Sequence, residues 1–403
     1  MKIYVATVGS RGDNEPFAAL ALEAAAAGHE VYFAHTDDIA LQPTALYTDL
    51  ALPGSIGAVI ARQGVSVVKA LKNYSSVMKP LMGGILAETT KQILALKPDV
   101  VVYHPKILTA ATATHAVGGI AIRAEMVPMM NPTKEFAPVG VPAWIPSSWN
   151  AASYRVILSA MSAFSGPAKK LARRLGVIRT EPDLTFVPVS PSIISPPKDW
   201  PEDVVMTGAW HCPEYGQLDE ELAQFLEFGK VLYAGFGSMK DSHGAARADA
   251  IVQAARSQGM KILMVTGWGG LVPSPTDHLA HDILIRESVP HSEVLPHCVA
   301  AIHHGGAGTV HAMLRAGVPS VIMPFLADQP WWARHLHHQK LGPAGLSRKT
   351  KKPSVIAASI AAARSYEGVT KLAGLKMATE DGLARAVEVI QDAEAGVHPL
   401  RPS

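Results

Sequence analysis

The sequence predicts an α/β protein of two domains, each built on a parallel β-sheet. Three observations carry this. At 403 residues the chain is longer than one hydrophobic core commonly fills. Short apolar strand-like runs alternate with helical stretches in both halves, the pattern of repeated strand-helix-strand units. A Pro- and Ser-rich stretch from Ser190 to Pro201 lies between the halves, and the linker is expected near residues 210–220.

The first strand is read from Lys2-Ile3-Tyr4-Val5-Ala6-Thr7-Val8, an apolar, β-branched run that stops at Gly9. An alanine-rich helix over residues 16–27 follows, begun by Pro16 and closed by Gly28. Further strands are expected at Val31-Tyr32-Phe33-Ala34, Asp99-Val100-Val101-Val102-Tyr103 and Ile120-Ala121-Ile122. The second half repeats the grammar at Val231-Leu232-Tyr233-Ala234, Ile262-Leu263-Met264-Val265, Val299-Ala300-Ala301-Ile302 and Ser320-Val321-Ile322-Met323. Ligands of open parallel sheets bind beyond the carboxyl ends of the strands, so the loops there should carry the chemistry.

Composition narrows the class. Apolar residues make up 48% and charged residues 17%, which excludes disorder. A formal net charge of +2 does not mark a nucleic-acid partner, and the basic run Arg348-Lys349-Thr350-Lys351-Lys352 reads as a solvated loop. Two distant cysteines, Cys212 and Cys298, suggest neither a disulfide framework nor a thiolate zinc site, and a reducing cytoplasm is the expected location. Secretion is not expected, and no run of about 18 apolar residues is present, so at most the protein touches a membrane surface.

The most specific segment is His303-His304-Gly305-Gly306-Ala307-Gly308-Thr309, which follows a strand and opens a helix. Its glycines let backbone N–H groups approach an anion, and the helix dipole favours negative charge there. His304 adds a donor and Thr309 a hydroxyl, a set that suits a diphosphate leaving group without requiring a metal. A plain glycine-packed turn is the competing role. Further on, Asp328-Gln329 before Pro330 is a candidate clamp for sugar hydroxyls, with helix capping as the competing role.

In the first half, Gly9-Ser10-Arg11-Gly12-Asp13-Asn14-Glu15-Pro16 places Asp13 in the loop after strand one, where a carboxylate could deprotonate an acceptor. Its competing role is a helix N-cap. His335 and His338 share a helical face, but no third ligand at metal-binding spacing accompanies them, and no metal site is expected.

In combination these residues resemble bacterial glycosyltransferases of the UDP-glycosyltransferase superfamily, family 1, especially the antibiotic and sterol glucosyltransferase-like group, across nearly the whole chain. The resemblance implies a GT-B fold, two Rossmann-like domains facing across a cleft, with inversion at the anomeric carbon. Residues 1–212 would bind the acceptor and 213–382 the nucleotide sugar, while a terminal helix at about 383–403 packs back on the first domain. Asp13 matches the base, where many plant and animal relatives place a histidine supported by a second acid; here the carboxylate would act alone. Ser238, His304, Gly306, Gly308 and Thr309 match the diphosphate contacts, and Asp328 and Gln329 the sugar contacts. The tryptophan on which plant enzymes stack the base is replaced in Ser288-Val289-Pro290-His291, which leaves Val289 and Trp268 as base candidates and uridine against thymidine open. Asp328-Gln329 fits a sugar with its ordinary hydroxyls, favouring UDP-glucose over a deoxygenated dTDP-sugar. Ser10, Met126, Met129, Phe136 and Trp144 are candidates for the acceptor side, since methionine and aromatic side chains suit a broad hydrophobic aglycone.

Two other readings stand beside this one. A sugar-nucleotide epimerase of the same architecture would not need the Gly-Ser-Arg-Gly-Asp loop. A catalytically silent helper would be marked by loss of Asp13, His304 or the Asp-Gln pair, and all are present. An NAD enzyme lacks its expected Gly-x-Gly-x-x-Gly turn.

Overall fold

The structure is a computed structural model that describes residues 1–9, 11–36, 44–55, 74–162, 164–211, 218–237, 239, 242–267 and 269–396. Ser10, Ser238 and Trp268, three of the candidate site residues, lie outside the described residues, as does Cys212. The described chain divides into two compact units, residues 1–211 with 380–396, and residues 218–379.

The first unit runs β1 (Lys2–Ala6), α1 (Arg11–Ala26), β2 (Glu30–Thr36), β3 (Thr48–Leu52), α2 (Lys79–Leu96), β4 (Val100–Tyr103), α3 (Ala110–Ala116), β5 (Ile120–Ala124), α4 (Asn150–Ser162), α5 (Gly166–Leu175), β6 (Leu184–Val187) and β7 (Val204–Met206). All described pairings are parallel, in the order β3-β2-β1-β4-β5-β6-β7. Both sheet faces are covered. On one side Ile3 and Val5 pack with Phe17 and Leu20 of α1, and on the other Tyr4 and Ala6 pack with Ile85 and Ile93 of α2. The near-continuous apolar character of β1 and β4 follows from this two-sided burial.

The second unit holds α6 (Glu220–Glu227), β8 (Val231–Gly235), α7 (Gly244–Arg256), β9 (Lys261–Val265), β10 (Ile283–Arg286), β11 (Cys298–His303), α8 (Ala307–Arg315), β12 (Ser320–Ile322), α9 (Gln329–His338), α10 (Pro353–Arg364) and α11 (Glu367–Met377). Its parallel sheet has the order β10-β9-β8-β11-β12. In both sheets the strand order reverses beside the first strand, between β1 and β4 and between β8 and β11. Side chains on the loops leaving such a pair can approach one crevice.

One boundary differs from expectation. The first helix begins at Arg11, and Pro16 lies inside it. Early in a helix the ring forfeits a single bond back to residue Gly12, while the preceding N–H groups lack intrahelical partners in any case. Asp13 therefore stands in the first helical turn, where the helix dipole favours its charge.

Helix α12 (Gly382–Glu394) completes the first unit, burying Ala386, Val389 and Ile390 in the core that α1 also lines. It is anchored by Glu380, whose Oε1 accepts from Ser190 Oγ at 2.9 Å and Ser192 Oγ at 2.6 Å. At its start Gly382 meets Gly208 backbone to backbone: a Cβ on Gly382 would lie 2.5 Å from the Ala209 carbonyl oxygen. Gly382→Val should accordingly lower the denaturant midpoint, by about 1–3 kcal/mol of stability. Asp381→Ala, which removes the cap on the Ala384 N–H, should cost about 1 kcal/mol. Equal denaturation midpoints for Gly382→Val and the parent would refute the close contact.

Candidate active site

In the first unit the candidate chemistry collects at the β1/β4 reversal. Asp13 Oδ1 lies 3.3 Å from His104 Nε2, and Asp13 Oδ2 lies 3.4 Å from Lys106 Nζ. The backbone N–H of Lys106 donates to His104 Nδ1 at 3.1 Å, so a neutral ring carries its proton on Nε2, directed at the carboxylate. Burial, and then the charge of Lys106, hold His104 below its ordinary pKa against the opposing pull of Asp13, keeping the ring neutral near pH 7. The carboxylate, which the resemblance implied would act alone, lies beside a neutral donor and an ammonium. His104 and Lys106 were missed in the sequence, where Tyr103-His104-Pro105-Lys106 is simply the end of a strand. Only the order β1-β4 brings them to Asp13.

Gly9 completes this arrangement. Its φ of 152° favours glycine, and a Cβ there would fall 2.1 Å from Asp13 Oδ2 and 2.6 Å from Asp13 Cβ. The Thr7 hydroxyl donates to the Asp13 carbonyl at 3.0 Å, and Asn14, fully buried, donates to the Gly9 carbonyl at 3.3 Å. Strand end and helix start are thus cross-tied around the carboxylate.

The acceptor candidates sort by environment. Glu125, buried at the end of β5, accepts from Met129 N, Met130 N, Arg123 Nε and Asn131 Nδ2 and fixes the turn that carries Met126 and Met129. Burial raises the Glu125 pKa, with Arg123 opposing. Met126 is half-buried against the core, and Phe136 packs edge-on against Trp200 at 6.2 Å. Trp144 is 78% exposed, so core packing does not account for it.

In the second unit the glycine-rich loop leaves β11 at the β8/β11 reversal. Gly305 takes φ 86° and passes Ile322 so closely that a Cβ would lie 2.5 Å from its Cγ2. Gly306 is the N-cap of α8, and its position lies 2.7 Å from His304 Nε2 when extended by a Cβ. Across the ring, Gly237 in the loop after β8 would place a Cβ 3.5 Å from His304 Cε1. His304 is therefore held between two glycines, with Gly308 exposed and Thr309 half-buried in the first turn of the helix. At Gly308, in the first turn of α8, a Cβ would meet nothing within 4 Å, so there is open space beside this end of the helix. This geometry suits an anion.

Burial lowers the pKa of His304 to about 4 and that of His303 to about 3, with neighbouring histidines adding to both. His104 is shifted the same way. Unfolding lets His303 and His304 return to 6.5, so between pH 6.5 and 4 the unfolded chain binds more protons at these two rings and stability falls as pH falls, with His104 adding in the same direction. The expected slope is up to about 1.4 kcal/mol per pH unit for each ring. Denaturant midpoints at pH 7, 5.5 and 4.5 would measure it, and His303→Gln should flatten it.

The Asp328-Gln329 pair divides its work. Gln329 is 4% exposed; its Oε1 accepts from the backbone N–H of Phe325 at 2.8 Å and of Leu326 at 3.2 Å, and its Nε2 lies 3.5 Å from Met239 Sδ. It ties the loop after β12 to the loop after β8. Asp328 stands at the N-cap position of α9 without a side-chain cap bond, and its Oδ2 accepts from Trp332 Nε1 at 3.0 Å. Val289 is half-buried against the core, near His291, whose Nε2 pairs with the Tyr233 hydroxyl at 2.9 Å. His335 lies flat on Trp331 at 4.8 Å, and among the described residues no group of three or more His, Cys, Asp or Glu could hold a metal ion.

Known proteins are similar to this chain in sequence and in fold. The family model for the C-terminal domain of erythromycin biosynthesis protein CIII-like proteins matches residues 272–395. The chain is 27% identical, over 95% of its length, to the sterol 3-beta-glucosyltransferase of Debaryomyces hansenii, and covers 26% of that protein. It is 29% identical, over 99% of its length, to the vancomycin aglycone glucosyltransferase of Amycolatopsis orientalis, and covers 99% of it. The chain thus spans about a quarter of the first relative and nearly all of the second. Its fold is similar to that of the glycosyltransferase VinC, solved in complex with DTDP, with a TM-score of 0.68 at 15% identity over 98% of this chain and 100% of that one.

Proposed function

We propose that this chain, similar in sequence to antibiotic and sterol glucosyltransferases and in fold to GT-B glycosyltransferases, is itself a glycosyltransferase of that group. It transfers glucose from UDP-glucose to a hydroxyl of a hydrophobic small-molecule acceptor, with inversion, in the cytoplasm. The observation that carries this reading is the Asp13 carboxylate held by His104 Nε2 and Lys106 at the β1/β4 reversal. Two relatives named as glucosyltransferases, for a sterol and for the vancomycin aglycone, support glucose and an extended aglycone. The DTDP complex of VinC keeps a dTDP-sugar as the second donor to test.

In this mechanism the acceptor oxygen attacks the anomeric carbon as the bond from that carbon to the diphosphate oxygen breaks, and the acceptor proton passes to Asp13. Charge grows on the leaving diphosphate, where the α8 amino terminus, His304 and the Thr309 hydroxyl would stabilise it. Ser238 is assigned to the same diphosphate. Asp328 is assigned to a sugar hydroxyl, while Gln329 acts chiefly by holding loop 325–329 in place. Met126, Met129, Phe136 and Trp144 are assigned to the acceptor side.

Calorimetric titration with UDP-glucose, dTDP-glucose, UDP-N-acetylglucosamine and NAD tests the donor. UDP-glucose should bind tightest, and His304→Ala should weaken it about 10- to 100-fold, the worth of a hydrogen bond to a charged acceptor. Binding of none of the four would overturn the reading in favour of a silent helper.

A further inference from the structure

Residues 136–180 contain no Asp or Glu, in a chain with 34 acidic residues, yet hold Arg155, Lys169, Lys170, Arg173, Arg174 and Arg179. The structure arranges this segment as an apolar stripe followed by a basic one. Trp149, Ala152, Val156 and Ala160 recur at spacings of three and four, so on and beside α4 they line one face. That face points outward: Trp149 is 63% and Val156 70% exposed, whereas Tyr154 on the opposite side is fully buried and Asn150 donates to the Lys134 carbonyl. An outward helix face is ordinarily polar; here an apolar stripe runs beside the exposed Arg155, Ser159 and Ser162. Helix α5 follows after a short turn. Its inner residues Ala168 and Ala172 are buried as it packs on α3, and its outer residues Lys169, Lys170, Arg173 and Arg174 are all exposed.

We propose that the α4–α5 surface docks the protein onto an anionic lipid bilayer. Exposed tryptophans and a shallow apolar stripe suit the headgroup boundary, where insertion of about 5–10 Å buries the apolar side of a helix lying in the plane. The neighbouring cations suit anionic headgroups, each adding about five-fold to binding. Charge argues against a second copy of the chain as the occupant, since pairing this face with itself would bring two sets of uncompensated cations together. Docking of this kind would place the acceptor-binding unit beside a source of apolar acceptors, but it stands on the surface alone and does not depend on the donor assignment.

The test is sedimentation of the full-length protein with vesicles of phosphatidylcholine, with and without about 30% phosphatidylglycerol, at low and high salt. The protein should bind the anionic vesicles, lose at least about ten-fold in affinity at high salt, and bind neutral vesicles weakly. Lys169→Glu/Lys170→Glu and Trp149→Ser should each weaken binding about ten-fold or more with unchanged thermal melting. Equal binding to both vesicle types, or full binding by both variants, would overturn the proposal. So would a concentration-dependent dimer in lipid-free sedimentation that Trp149→Ser dissociates, which would assign the face to a second copy. If a variant melts early, the lipid and salt comparison on the unaltered protein decides.

Discussion

Asp13→Asn is expected to lower turnover about 10²- to 10⁴-fold while leaving UDP-glucose affinity unchanged. The substitution keeps the shape of the side chain and a carbonyl oxygen for His104 Nε2, but removes the carboxylate proposed to take the proton. Because Asp13 belongs to the first unit and the glycine-rich loop to the second, the effects on rate and on donor binding should separate. Single-turnover kinetics with saturating donor, alongside calorimetry, reads both. Near-normal turnover would show that another group accepts the proton. A parallel loss of donor affinity would point instead to a folding defect, or to Asp13 contacting the nucleotide sugar.

The second large effect is expected from a residue with no chemistry of its own. At Gly9 a methyl group would sit 2.1 Å from Asp13 Oδ2, and φ is 152°, so Gly9→Ala is both strained and obstructed. The cheapest relief is movement of the Asp13 side chain away from His104 and Lys106. Displacing a catalytic group by about 1 Å costs on the order of 10²-fold in rate. Gly12→Ala provides the internal control, because a Cβ at Gly12 meets nothing within 4 Å and the position is helical. That variant should keep its activity and melt no earlier than the parent. If Gly9→Ala were as active as Gly12→Ala, the carboxylate would not depend on the position the structure gives it.

Residues that act in place and residues that keep others in place differ in how visible they are to sequence reasoning. His304, Gly306 and Asp13 lie in contiguous motifs whose spacing reports a strand, a turn and a helix start. His104 and Lys106 lie in no motif, and their role arises because β4 pairs with β1 across nearly a hundred residues. Gln329 shows the converse. Its neighbour and its place before a proline suggest a sugar contact, whereas its hydrogen bonds to the loop at Phe325 and Leu326 come from a backbone path that only the folded loop defines. The edge strand β3 was also hard to see: it pairs with β2 alone among the described strands and is largely exposed, so its Thr-Asp-Leu-Ala-Leu sequence lacks the apolar run of a central strand.

By itself the sequence determined the α/β class, the alternation that makes both sheets parallel, and the two glycine-marked strand-to-helix junctions that carry Asp13 and His304. Each of these is a local property, set by side-chain periodicity and by backbone conformations that glycine tolerates. The tertiary structure decided what surrounds Asp13, why Gly9 bears no side chain, which member of the Asp-Gln pair is tied into its loop, and that the apolar face of α4 points outward. Those are contacts between segments distant in sequence, and their distances follow from strand order and packing, which no single stretch of the chain encodes.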